Sequence, residues 1–156
     1  MGVSMTVIRP MTLVDLDEVV DLEQAHQPRP WSESVFRDEL TQDNRVYLVV
    51  GSPIAGVGGV MIVGEEAHVT NLLVVPEQRR NGLGRQLMSA LIESAIQAGA
   101  RHLTLEVRSS NDAARALYRS VGLGPVGLRP RYYGDDDALI MWAHDIDDPA
   151  FLESLR

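Results

Sequence analysis

Apolar positions along the chain follow two spacings that take turns, one helical and one alternating. A short extended run over 7–9 opens the pattern, and Thr12 stands where a helix cap is needed. Leu13, Leu16, Val19 and Val20 then share one helical face, which ends at Pro28-Arg-Pro30. Ser32 is placed to cap a second helix over 33–40, with Glu33 near its positive start. Runs over 46–50 and 54–63, joined by the Gly51-Ser-Pro53 turn, read as a hairpin, and a further strand over 69–75 ends at Pro76. The strongest helical pattern covers 83–98, with Leu87, Met88, Leu91, Ala95 and Ile96 inward and Gly99 as a left-handed stop. Over 102–107, Leu103, Leu105 and Val107 alternate with His102, Thr104 and Glu106, so the strand turns Glu106 away from its leucines. A helix over 111–121, capped by Asn111 and stopped at Gly122, precedes strands over 126–132 and 138–142, a hairpin around Gly134-Asp-Asp-Asp137. This order predicts an α/β fold with a mixed, mostly antiparallel sheet flanked by helices and one central strand–helix–strand crossover.

Composition narrows the functions open to such a fold. The 156 residues suit a single domain, expected over 1–144, with 145–156 as a frayed C-terminal tail. Cysteine is absent, which excludes disulfides, thiolate metal sites and a cysteine nucleophile. All 14 basic residues are arginine, so Schiff-base chemistry and a phosphate-loop lysine are excluded too. A net charge of -8 argues against a general grip on nucleic acid. No apolar run reaches the roughly 18 residues of a membrane span, and the first residues lack the pattern of a secretion signal. The expectation is a cytoplasmic protein with no nucleic-acid or membrane partner. Met1 to Thr6 fit a loose, chance-prone acylation pattern, and Met5 is an alternative start. The four histidines are far apart, without metal-ligand spacing, so no metal is expected.

The chemistry concentrates where the 69–75 strand passes into the long helix, at Val74-Val-Pro-Glu-Gln-Arg-Arg-Asn-Gly-Leu-Gly-Arg85. Glycines let backbone N–H groups approach a ligand, and a helix start favours anions. Arg79, Arg80 and Arg85 add positive charge in an acidic chain, so a diphosphate is the natural guest. A dinucleotide reading takes Gly82-Leu-Gly84 as the start of Gly-x-Gly-x-x-Gly, with Glu106 on a ribose. It meets Leu87 at the third glycine, and the chain lacks repeated parallel crossovers. A coenzyme A site is the other reading.

Arg79-Arg-Asn-Gly82-Leu-Gly84 is similar to the Arg/Gln-x-x-Gly-x-Gly/Ala motif of the GCN5-related N-acetyltransferases, the GNAT superfamily. Leu105-Glu-Val-Arg108, Asn111-Asp-Ala-Ala114, Ala116-Leu-Tyr118, Arg131-Tyr-Tyr133 and Pro30-Trp-Ser32 follow the order of one branch, the RimI-type ribosomal-protein-alanine N-acetyltransferases. The resemblance spans about 13–141. It implies a splayed sheet and acetyl-CoA as donor, with Leu72, Leu73 and Val74 beside the pantetheine arm. Arg79, Arg80, Asn81, Gly82, Leu83, Gly84 and Arg85 would bind the diphosphate, and Asn111 would touch the coenzyme.

In that frame Glu106 is the candidate base, because an α-amine with a pKa near about 7.7–8.0 must lose a proton before it attacks. Tyr118 is the candidate acid for the departing thiolate; a packed core tyrosine is the plainer reading. Tyr132 and Tyr133 would border the peptide entrance opposite Trp31. Asp135, Asp136 and Asp137 would attract a basic substrate tail, unless they simply solvate a turn. With no cysteine to carry an acyl group, transfer is expected to be direct within a ternary complex. The implied acceptor is a protein N-terminal α-amine, that of the alanine of ribosomal protein S18. The alternatives are lysine side chains, a small amine, or a non-catalytic acyl-CoA-binding module. The family usually has Gly-Phe after the tyrosine helix, whereas this chain has Gly122-Leu123.

Overall fold

The computed structural model describes residues 7–79 and 81–155. The acylation pattern, Met5 and Arg80 lie outside the described residues. The strands are β1 (Ile8–Pro10), β2 (Arg45–Val50), β3 (Gly56–Val63), β4 (Glu66–Val74), β5 (His102–Arg108), β6 (Gly124–Arg129) and β7 (Ala138–His144). The helices are α1 (Leu16–His26), α2 (Glu33–Leu40), α3 (Leu83–Gln97), α4 (Asp112–Ser120) and α5 (Pro149–Ser154). Hydrogen bonding orders the sheet β1-β2-β3-β4-β5-β7-β6. β4 and β5 are parallel, linked through α3, whereas β1–β2, β2–β3, β5–β7 and β6–β7 are antiparallel. The expected α/β class and its central crossover are therefore present.

The chain divides into two compact units, Met1–Met61 with Thr70–Leu91, and Ile62–Val69 with Ile92–Arg156. In the first, Met11, Leu16, Val19, Phe36, Tyr47, Val49, Ile54, Val57 and Leu73 form a buried cluster, against which Trp31 and Leu40 also pack. A second cluster gathers Val50, Ala55 and Leu83. Glycines set how closely the layers approach. A Cβ at Gly58 would stand 2.8 Å from Leu91 Cδ1 on α3, and one at Gly59 would stand 2.1 Å from the ring of Tyr47, its cross-strand partner. Tyr47 is buried, and its hydroxyl donates to Glu39 Oε1 at 2.7 Å and lies 3.0 Å from Thr70 Oγ1.

The first helix starts later than its apolar spacing suggests. Asp15 accepts the Thr12 N–H at 2.9 Å and the Arg9 guanidinium at 2.8 and 2.7 Å, which closes a 3-10 turn over Leu13–Asp15. Leu13 is consequently 57% exposed, and Leu16, Val19 and Glu23 carry the buried face of α1. The hydrogen bonds from Arg9 hold the Asp15 carboxyl down at about 2, below its usual value of 3.8. A depressed carboxylate stabilises the fold fully above its unfolded value, and that stabilisation disappears as pH falls through about 2. Asp15→Asn should therefore remove part of the loss of stability between about pH 4 and pH 2, read as a flatter urea-midpoint curve. An unchanged curve would show that the pair contributes nothing there.

In the second unit, Leu103, Leu105 and Val107 are buried while His102, Thr104, Glu106 and Arg108 are half-buried, as the alternation requires. Helix α4 is capped by Asn111, whose Oδ1 accepts the Ala114 N–H at 3.1 Å. Leu123, where the family usually has phenylalanine, is buried. The tail corrects the expectation of fraying. Asp148 accepts the Ala150 N–H at 2.9 Å to start α5, and Ile146 is fully buried. The Phe151 ring lies against Gly122, where a Cβ would stand 2.6 Å from it and φ is +100°. Strand β6 is also displaced toward the N-terminus of its expected range. Its register against β7 shifts between Pro125 and Gly127, and Asp137 accepts the Arg131 N–H at 2.8 Å, turning the chain before Tyr132.

Candidate active site

The first unit carries Trp31, Leu72, Leu73, Val74, Arg79, Asn81, Gly82, Leu83, Gly84 and Arg85, and the second carries Glu106, Asn111, Tyr118, Tyr132 and Tyr133. In the first, β4 ends at Val74 and a 3-10 turn over Pro76–Gln78 follows. Arg79 folds back, its Nε donating to the Val74 carbonyl at 3.2 Å. Gly82 has φ +77°, with nothing within 4 Å of where a Cβ would stand. A left-handed residue there turns the chain into α3, whose first intrahelical bond runs from the Gln86 N–H to the Gly82 carbonyl at 3.0 Å. The first turn of α3, Leu83 to Arg85, follows directly on that glycine. A helix start entered through a left-handed glycine is an arrangement that favours an anion.

Trp31 sits in the aromatic corner of the same unit, its ring 5.2 Å from Phe36 and 6.5 Å from Tyr47, centroid to centroid. Buried Glu23 fixes the segment: one carboxylate oxygen accepts the Trp31 N–H at 2.9 Å and the other accepts Asn71 Nδ2 at 3.2 Å. The helical spacing gave no reason to single out Glu23, since it lies on the apolar face of α1.

In the second unit Glu106 is the centre of a linked set. Its side chain is 17% exposed, with Oε2 3.0 Å from His68 Nε2 and Oε1 3.8 Å from the Arg129 guanidinium. Tyr133 stands under the Arg108 guanidinium, 4.5 Å from the ring centroid, and edge-on to Tyr132 at 5.1 Å. Burial, and then the Glu106 carboxylate, raise the Tyr133 phenol above its usual value. Tyr118 is buried, and that burial, with a smaller contribution from Tyr133, pushes its phenol up to about 12. It therefore stays protonated at any physiological pH.

The acidic loop does not present three idle charges. Asp135 pairs with Arg108 at 3.0 Å, Asp136 accepts from the Ser110 N–H and hydroxyl, and Asp137 accepts the Arg131 N–H. These bonds hold Asp135 and Asp136 below the usual carboxylate range. The aspartates tie the loop to the end of β5. His102 meets His144, Nδ1 to Nδ1 at 3.2 Å.

His68 and Arg129 escaped the sequence reading. Starting β4 at Val69 left His68 in a loop, although Ala67, His68, Val69 and Thr70 already alternate as a strand does.

A model of the acetyltransferase (GNAT) family matches residues 16–123. The chain belongs to that family. It is an acyltransferase that depends on acetyl-CoA as its donor. Among its relatives, it is 35% identical over 142 residues to a [ribosomal protein bS18]-alanine N-acetyltransferase of Escherichia coli, covering 88% of this chain and 96% of that protein. It is 38% identical over 129 residues to the N-alpha-acetyltransferase RimI of Mycobacterium tuberculosis, covering 78% and 79%. The crystal structure of the Escherichia coli ribosomal-protein-alanine N-acetyltransferase superposes with a TM-score of 0.81 at 33% identity, over 89% of this chain and 93% of that one. No described helix of this GNAT chain is long and apolar enough to cross a membrane.

Proposed function

We propose that this chain acetylates the N-terminal α-amine of a ribosomal protein in the cytoplasm, with the alanine of bS18 as acceptor. Two relatives that it matches over most of their length carry that activity or N-alpha-acetylation in their names. In this reading Leu72, Leu73 and Val74 line the pantetheine arm, and Arg79 through Arg85, Arg80 included, receive the diphosphate. Asn111 adds a contact at the start of α4, while Trp31, Tyr132 and Tyr133 receive the peptide.

The observation that carries the catalytic part is Glu106, a largely buried carboxylate on the face of β5 opposite the leucines. It takes a proton from the incoming ammonium, and the neutral amine attacks the thioester carbonyl directly. Tyr118 donates a hydrogen bond to the departing sulfur. A thiol of cysteine type has a pKa near about 8.5, below that of the buried phenol at about 12. Tyr118 thus polarises the sulfur more readily than it surrenders its proton outright.

Thiol release from acetyl-CoA is the test, using a peptide that begins with free alanine beside an N-blocked twin carrying an internal lysine. Turnover of the free peptide alone is expected. Turnover of the blocked twin alone would move the acceptor to a lysine side chain. Silence with both peptides, despite acetyl-CoA binding, would overturn the reading in favour of a small amine or a binding module. The chain has no lysine of its own to add background.

A further inference from the structure

We infer that His68 is a positioning residue for Glu106, fixing which carboxylate oxygen meets the substrate amine; the inference rests on Glu106 being the base. The parallel register of β4 and β5 runs Glu66↔His102, Ala67↔Leu103, His68↔Thr104. His68 therefore faces Thr104 directly, and Glu106 is the next residue along β5 on the same face. That diagonal is within reach of two long side chains, and it brings Nε2 to 3.0 Å from Oε2. A carboxylate only accepts, so Nε2 of His68 carries a proton and donates it to Oε2.

The two oxygens of Glu106 thereby become inequivalent. Oε2 is engaged by a hydrogen bond of ordinary length, whereas Oε1 has Arg129 at 3.8 Å, too long for one. Oε1 is the oxygen that accepts the proton: an N–H bond of the ammonium breaks, an O–H bond forms on Oε1, and that proton leaves to water. His68 keeps its own proton throughout. Its side chain is 34% exposed and that of Glu106 17%, so the imidazole is the more exposed partner. Without it, Glu106 regains torsional freedom where a displacement of about 1 Å can cost roughly 100-fold in rate.

The test is a double-mutant cycle in steady-state kinetics, with both substrates varied, using whichever acceptor the free and blocked peptides identify. His68→Ala is expected to lower kcat roughly 10- to 100-fold, with both KM values within about two-fold. His68→Gln, whose amide can still donate, recovers most of the loss. In a Glu106→Gln background, His68→Ala lowers kcat no further, because its effect passes through the carboxylate. A wild-type kcat in His68→Ala, an undiminished loss in the double variant, or no recovery by glutamine in a protein of unchanged Tm would each overturn the inference. Full activity in Glu106→Gln alone would instead remove the base itself. Loss there with an intact His68→Ala would remove only His68.

Discussion

Glu106→Gln should lower kcat by about 10²- to 10⁴-fold, the range that a positioned general base supplies, and leave acetyl-CoA affinity within about two-fold. Glutamine keeps the shape of the side chain but has no negative charge with which to take the proton. Its amide nitrogen also cannot accept a hydrogen bond, so one arm of the set around His68 and Arg129 is lost with the chemistry. The turn proposed to receive the diphosphate, Gly82 to Arg85, belongs to the other compact unit, so binding and turnover are expected to separate. Steady-state kinetics with a titration of acetyl-CoA reads both. A variant with wild-type kcat would show that water or another group removes the proton, and one that loses coenzyme binding as well would show a structural role. Raising the pH should recover part of the lost rate, since an α-amine above about 7.7–8.0 arrives neutral and needs no base.

Gly59→Ala should cost about 3 kcal/mol of stability, near the upper end of ordinary overpacking, and lower Tm by roughly 6–12 °C for a chain of this size. The new methyl group would stand 2.1 Å from a carbon of the Tyr47 ring. A flexible side chain would swing away, but this ring is held at both ends. Its flat body is buried in the first unit's core, and its hydroxyl is fixed by Glu39 and Thr70. Glu39 is itself paired with Arg45 at 3.1 Å. Moving the ring therefore breaks a partly buried polar set, whereas moving the backbone breaks the β2–β3 ladder. Thermal unfolding of Gly59→Ala beside Gly59→Ala/Tyr47→Leu checks the cause. If the clash is the reason, the second change costs less in the double variant than in the wild type, and full additivity would place the cost in the backbone instead.

Much of this protein was written in local pattern. Ser32 and Asn111 cap the helices they were expected to cap, accepting from Val35 and Ala114. Gly99 and Gly122 take left-handed conformations at helix ends. The 33–40 helix and the alternation on β5 follow from side-chain spacing, because a helix or strand carries its period whatever it packs against. The same is true of the glycine turn at Gly82, since only its own φ is involved. The motifs that carry the family resemblance are also local, so the GNAT assignment was available before any coordinate.

What the sequence did not determine depends on distance in space. Apolar spacing assigned Leu13 to a helix, but the Arg9 and Thr12 bonds to Asp15 make a tighter turn there. The tail looked frayed because nothing within it is buried by its own pattern, and it is Gly122, about thirty residues earlier, that makes room for Phe151. Three aspartates in a loop read as free charge until Arg108, Ser110 and the Arg131 amide were found to engage them. Glu106 could be singled out from one strand alone. Its partner His68 could not, since the two are 38 residues apart and meet only because parallel pairing sets β4 against β5 in one register. Local periodicity and φ preference determined the elements, and short local motifs carried the family resemblance; long-range pairing decided which charges of β4 and β5 face one another.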